Sequence, residues 1–135
     1  MKKTMSISTS LFLGKIVLGI FWICIAVTNC FDGLFASISS IVLLLAAIVI
    51  LIILSKIKPA NEDEMSDYNY KEARAIASEI MHIIYLILAI ATPFVLTKFD
   101  ISDWNWPIIL GNIFYMLVGI QNILVGFYFR KLEAE

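Results

Sequence analysis

Long uninterrupted apolar runs dominate the pattern of hydrophobic and polar positions along this chain. Residues 41–54, IVLLLAAIVILIIL, contain no polar side chain. With residues 35–40 they are long enough, at ~1.5 Å per residue, to cross the ~30 Å hydrocarbon layer of a bilayer. The run ends at residues 55–59, where two lysines and a proline mark a membrane boundary. This pattern is typical of a transmembrane helix.

Three further apolar segments predict three more transmembrane helices. We expect the four helices at residues 10–29, 34–55, 75–96 and 107–129. A turn rich in Asn, Asp and Gly joins the first two helices, and the short outer loop 97–106 joins the last two. The predicted fold is therefore an all-α integral membrane protein, with four transmembrane helices as two antiparallel hairpins in a single membrane domain, 1–135.

The connector between the hairpins, residues 56–74, is the only sizeable polar stretch. No helix breaker separates residue 67 from the third apolar segment, so we expect the third helix to begin near residue 67 and to protrude from the bilayer. Acidic and aromatic side chains of this region are predicted to contact a partner protein: Glu62, Asp63, Glu64, Tyr68 and Tyr70. The alternative is a solvated linker whose charges keep it out of the bilayer.

Composition and charge then set location and orientation. The chain is 61% hydrophobic and 16% charged, which leaves no room for a separate soluble domain. Of its ten cations only Lys98 lies on the predicted outer side and Lys15 lies inside a helix; the other eight share one side, namely Lys2, Lys3, Lys56, Lys58, Lys71, Arg74, Arg130 and Lys131. The positive-inside rule predicts a multi-pass protein of the cell membrane with both termini cytoplasmic. No basic stripe suggests nucleic-acid binding.

Three ionisable side chains fall inside or near the apolar layer. Lys15 and Glu79 are expected at similar depths, and an interhelical pair between them is one hypothesis. The alternative for Lys15 is that its long stem carries the charge to the headgroups. Glu79 and His82 are three residues apart on one helix face, where we expect an interhelical hydrogen bond. A proton-sensitive pair is the alternative. The Glu-x-x-His spacing occurs once, so no metal site is predicted.

The fourth helix carries a packing signal. Its small and polar residues recur in steps of three or four on one face: Gly111, Tyr115, Gly119, Asn122 and Gly126. Small residues let another helix approach closely, and Asn122 is able to hydrogen-bond across such a contact. Gln121 points almost the opposite way, which suggests a second contact with another copy of the chain or another membrane protein.

Motifs for catalysis are not found in the sequence. It has no nucleophile with a matching base, no glycine-rich phosphate loop and no cysteine or histidine cluster, so an enzyme or a cofactor is not expected. We expect a non-catalytic accessory or regulatory subunit that binds another protein. Self-protection against a membrane-active peptide, through the outer loop 100–106, is an alternative. A small transporter or channel subunit is another, which the scarcity of intramembrane polar groups disfavours.

The layout resembles small prokaryotic membrane proteins grouped as families of unknown function. The resembling features are Glu62-Asp63-Glu64 after Lys56 and Lys58, the helical entry Lys71-Glu72-Ala73-Arg74-Ala75, and the basic exit Arg130-Lys131. Related sequences often have arginine after the acidic pair, and Met65 departs from that. The resemblance implies a regulatory membrane partner and transfers no functional residue.

Overall fold

The computed structural model describes residues 7–31, 33–56, 64–100 and 103–134 of the chain. These residues form four helices: α1 (Ile7–Thr28), α2 (Leu34–Lys56), α3 (Glu64–Lys98) and α4 (Trp106–Leu132). All four are long and apolar enough to cross a membrane. The predicted fold class, an all-α membrane protein with four spanning helices, is confirmed.

Local chemistry explains where several helices begin. Gly33, between α1 and α2, has a φ of +87°, a left-handed conformation that costs glycine little. Pro107 stands at the start of α4, where the N–H that proline lacks would have had no partner within the helix. Glu64 and Asp67 occupy the first turn of α3, and their negative charges interact favourably with the helix dipole.

The third helix is longer than a bilayer is thick. Its 35 residues span ~52 Å, whereas the hydrocarbon layer is ~30 Å. Helix α3 begins three residues before the predicted residue 67, so its polar start is already helical. We call residues 64–74 the α3 extension, because their composition places them outside the hydrocarbon layer.

The main helix contacts join α2 to α1, α1 to α4 and α4 to α3, so α1 and α4 each pack against two neighbours. Thr28 near the end of α1 shares a hydrogen bond of 3.3 Å with Ser40 near the start of α2. Asn69 near the start of α3 donates a hydrogen bond of 2.9 Å to Glu133, just after α4. Both predicted hairpins are therefore present and antiparallel, and the contact of α1 with α4 joins them.

The antiparallel arrangement gathers the described cations at one end. The starts of α1 and α3 and the ends of α2 and α4 share this basic end, which carries Lys56, Lys71, Arg74, Arg130 and Lys131. Among the described residues, Lys98 is the one cation at the opposite, far end. The charge asymmetry of the sequence is therefore also an asymmetry of the folded protein.

Little of the apolar surface is covered within the chain. In the described ranges seven hydrophobic residues are buried: Ala26, Ala47, Ala73, Ala77, Met81, Val125 and Phe129. Helix α2 buries only Ala47. Broad exposed apolar surface of this kind is what a lipid bilayer covers. The buried residues concentrate where α4 packs against its neighbours, so α4 organises the fold.

Candidate functional site

The tightest helix contact joins α1 and α4 at a pair of glycines. A Cβ atom placed on Gly119 would lie 2.8 Å from the carbonyl oxygen of Gly19, and one placed on Gly19 would lie 2.7 Å from the carbonyl oxygen of Gly119. A Cβ atom on Gly126 would lie 3.0 Å from the Cβ atom of Lys15. Since these distances leave little or no room for a side chain, glycine lets the two backbones approach each other directly.

Other residues of the predicted α4 face also meet α1. The Tyr115 ring stacks on the Trp22 ring with 5.4 Å between centroids. The Asn122 side-chain oxygen accepts a hydrogen bond of 3.5 Å from the Lys15 ammonium. Gly111 differs, because a Cβ atom there would meet nothing within 4 Å. The structure thus brings four of these five face residues against α1 and leaves Gly111 open.

The predicted pair of Lys15 with Glu79 is not formed in the structure. The Lys15 ammonium donates instead to Asn122, and it lies 5.9 Å from the centroid of the Tyr70 ring, near the basic end. Its long apolar stem therefore carries the charge towards the basic end. That the charge reaches the lipid headgroups stays a prediction.

Glu79 and His82 lie on the outward surface of α3, and both are exposed. The face of α3 that packs on α4 is marked by Ala73, Ala77 and Met81, each one turn after the last. At ~100° per residue, Glu79 is about 160° away from Ala77 around the helix. These two side chains therefore face away from α4, and packing rather than depth keeps Glu79 from Lys15.

Tyr70 joins three elements at the basic end. Its ring meets the Phe129 ring edge-on, with 5.9 Å between centroids. The Lys15 ammonium lies 5.9 Å and the Arg74 guanidinium 6.0 Å from the centroid of the same ring. Tyr70, predicted as a partner contact, is half-buried, packs against Phe129 and presents its ring to two cations.

Gln121, predicted to contact a second copy or another protein, lies beside α3. Together with Arg74 and Val125 it lines two adjoining cavities of ≈ 370 and ≈ 330 Å³ at the basic end. Gln121 is exposed and makes no side-chain hydrogen bond with the described residues. It is therefore available to a molecule that enters these cavities.

The α3 extension is tied to the end of α4. The Glu133 carboxylate accepts hydrogen bonds from the Ser66 hydroxyl at 3.3 Å and from the Asn69 amide at 2.9 Å. An ionised acceptor makes these hydrogen bonds stronger than neutral ones. The extension is consequently held against α4 with its other face turned outward.

The outward face of the α3 extension combines apolar and acidic side chains. Met65 is 67% exposed and Tyr68 is 63% exposed, and they are three residues apart on one side of the helix. Glu64 and Asp67 are exposed next to them, and Asp67 pairs with Lys71 at 2.6 Å. Glu62 and Asp63, the other predicted partner contacts, lie outside the described residues.

Glu133→Gln is expected to loosen the α3 extension, because the two hydrogen bonds lose their charged acceptor and only one acceptor oxygen remains. We expect a loss of about 1 kcal/mol and faster amide hydrogen exchange at residues 68–72. Glu72→Gln removes a carboxylate from the extension beyond the first turn of α3 and breaks no described hydrogen bond, so it serves as the control. Equal exchange rates in both variants would contradict the tie to α4.

A further cavity of ≈ 400 Å³ lies at the far end, where the turn after α1 meets the start of α4. Asn112 lines it, and its buried side-chain oxygen has no partner within the described ranges, while its amide donates to the Cys30 sulfur at 3.8 Å. The described residues hold no group of three His, Cys, Asp or Glu side chains that could bind a metal ion. This cavity has room for water molecules, which would satisfy the Asn112 oxygen.

Several contributors to the site were not singled out from the sequence, Met65, Phe129 and Glu133 among them. Gly19 and Trp22 are the α1 partners of α4, and Arg74 joins the two basic-end cavities. Gly19 carried a detectable signal, because Lys15 precedes it and Trp22 follows it at helical spacing on the same face of α1. The place of Arg74 depends on the rotation of α3 about its axis, which the sequence pattern did not specify.

Comparison of the chain with protein-family models, with curated proteins and with solved structures finds no match. The resemblance in layout to small four-helix membrane proteins therefore assigns no family, and functional proposals depend on the geometry described above.

Proposed function

We propose that this chain is a non-catalytic accessory or regulatory subunit of the cell membrane, which binds another protein through the outward face of its α3 extension. The exposure of Met65 and Tyr68 carries this proposal. Elsewhere in the described chain most exposed large apolar side chains lie on segments apolar enough for lipid to cover, whereas these two lie on a polar segment outside the hydrocarbon layer. Large apolar and aromatic anchors are what protein interfaces use.

Charge indicates the chemistry of the partner. Residues 60–70 contain Glu62, Asp63, Glu64 and Asp67 and no cation, so the segment is strongly acidic. A partner surface with an apolar socket and a rim of lysines or arginines would complement it. The hydrogen bonds of Glu133 hold the extension in position before the partner arrives, which lowers the entropy cost of binding.

The same proposal places the basic end in the cytoplasm. Support comes from the cations there, Lys56, Lys71, Arg74, Arg130 and Lys131, against Lys98 at the far end, because cytoplasmic ends of membrane helices are enriched in lysine and arginine. Both termini and the α3 extension would then face cytoplasmic proteins. Accessibility of a tag at residue 65 and at the carboxyl terminus from the same side of sealed vesicles tests this orientation.

Met65→Ala with Tyr68→Ala is expected to reduce recovery of the partner at least about tenfold after extraction in mild detergent, because apolar anchors dominate binding energy. The matched control is Met116→Ala with Tyr85→Ala, which changes the same residue types at exposed positions inside the membrane spans. A photo-crosslinker at position 68 in living cells should capture the same protein that co-purifies.

Neutralising Glu62, Asp63 and Glu64 should also weaken recovery and reduce its dependence on ionic strength. Recovery that neither set of substitutions changes would overturn the proposed interface.

A further inference from the structure

The two adjoining cavities at the basic end form one polar groove between α3 and α4, with Lys15 of α1 at its side. The ≈ 370 Å³ cavity is lined by Lys15, Tyr70, Arg74, Gln121, Asn122 and Val125. The ≈ 330 Å³ cavity shares Arg74, Gln121 and Val125 and adds Lys71, Ala75 and Ser78. We call this combined surface the cationic groove.

Charge in the cationic groove is unbalanced. Three cations line it, and none of its lining residues is a carboxylate. Lys71 is compensated by Asp67 at 2.6 Å, which is the only ion pair among the described residues. Lys15 and Arg74 have no carboxylate partner there and meet instead on the Tyr70 ring. Two uncompensated cations near a membrane surface attract an anion.

The groove also offers hydrogen-bond donors suited to an oxyanion. Arginine presents a planar fork of N–H groups that matches phosphate oxygens, and lysine adds a compact charge. The Ser78 hydroxyl and the Gln121 amide make no hydrogen bond with other described side chains, so both are available to a ligand. Asn122 already accepts a hydrogen bond from Lys15 and holds that ammonium at the groove.

The depth of the groove agrees with a headgroup position. Arg74 and Gln121 lie where the polar α3 extension gives way to the apolar part of α3, whose side chains at Ile83, Leu86 and Ile87 are exposed. Basic pockets between transmembrane helices bind the phosphate groups of anionic lipids. Beside such a pocket, the exposed apolar surface of α3 would cover the acyl chains.

We propose that the cationic groove binds a phosphate group, with Arg74 and Lys15 carrying the charge and Gln121 and Ser78 donating hydrogen bonds. The phosphate belongs either to an anionic phospholipid headgroup or to a free phosphate. This site is separate from the outward face of the α3 extension, so it does not depend on the proposed protein partner.

The test measures binding by native mass spectrometry and thermal unfolding of the full chain in an uncharged detergent. One arm titrates phosphatidylglycerol, a second titrates zwitterionic phosphatidylcholine, and a third titrates inorganic phosphate. We expect phosphatidylglycerol to bind more tightly than phosphatidylcholine and to raise the unfolding midpoint. Stabilisation by inorganic phosphate without a preference for phosphatidylglycerol would assign the site to free phosphate. Failure of both ligands to bind would overturn the proposal.

Variants that each remove one cation test whether phosphate binds in the cationic groove. Arg74→Gln and Lys15→Gln are each expected to weaken phosphate binding about tenfold or more, since each removes a charged hydrogen bond. Lys56→Gln removes the same charge at the same end, on α2 and outside the groove, and should change affinity less than about twofold. An equal loss of affinity in all three variants would show that phosphate is attracted to the basic end in general. Such a result would contradict a specific site in the cationic groove.

Two further variants test the groove at exposed or half-buried positions, where a substitution disturbs folding least, and they change no charge. Gln121→Ala and Ser78→Ala remove one donor each from partly or fully exposed positions and leave every cation in place. They should weaken phosphatidylglycerol or phosphate binding by about fivefold, the effect of a single lost hydrogen bond. Unchanged affinity in both variants would contradict the proposed hydrogen bonds from Gln121 and Ser78 to the phosphate.

Discussion

Gly119→Ala is expected to lower the stability of the protein in detergent by about 2 kcal/mol, within the range that overpacking costs in well-packed cores. The added methyl group would lie 2.8 Å from the Gly19 carbonyl oxygen and 3.2 Å from the backbone nitrogen of Ile23. Because both are backbone atoms, rotation of a side chain cannot relieve the clash, and α1 and α4 have to move apart. Thermal unfolding followed by circular dichroism should show a lower midpoint.

The matched controls are Gly111→Ala on the same helix and Gly14→Ala on α1. Neither added methyl group would meet an atom within 4 Å. Alanine is the better helix former by about 1 kcal/mol in exposed helices, so the midpoint should stay the same or rise slightly. If Gly119→Ala behaved like these controls, the proposed backbone contact between α1 and α4 would be wrong.

Phe129→Ala is expected to cost about 3 kcal/mol, the lower part of the range for large-to-small changes of buried aromatic residues. Phe129 is 1% exposed, and its ring packs against the Tyr70 ring. Its removal would leave a cavity between α3 and α4 and would deprive Tyr70 of the contact that orders it. Thermal unfolding measures the loss, and faster hydrogen exchange near Tyr70 should accompany it.

Phe127→Ala, two residues earlier on α4, is the control: it makes the same substitution at a position that does not pack in the core. Phe127 is 58% exposed on the surface that lipid or detergent covers. The same deletion there should change stability by less than about 0.5 kcal/mol. Similar losses at both positions would mean that Phe129 is not a core residue.

Features that depend on neighbouring residues could be predicted from the sequence. The apolar run at residues 41–54 predicted α2, and the turn residues around Gly33 predicted the hairpin that the structure contains. Insertion into a bilayer depends mainly on the length and polarity of each segment, both of which are local properties. The start of α3 was placed three residues late, although Glu64 is itself a favourable first-turn residue.

Features that depend on helix rotation could not be predicted in the same way. The face of α4 at Gly119 required a small partner residue, and the sequence offered one in α1, Gly19, and others in α2, such as Ala47. The pair of Lys15 with Glu79 was predicted only because both residues were expected at similar depths in the bilayer. The structure turns Ala77 towards α4, and Glu79 consequently points away. In an all-apolar environment, shape decides such pairings more than hydrophobicity does.

The contact between the first and fourth helices has a consequence for biogenesis. Lys15 and Asn122 are 107 residues apart in the sequence. Since a ribosome adds roughly 5 to 20 residues per second, Asn122 is synthesised about 5 to 20 seconds after Lys15. Throughout that interval the surface of α1 around Gly19 lacks its native partner, α4. Lipid, the insertion machinery or a chaperone has to shield it, so the nascent hairpin is the stage at which misassembly and quality control would act.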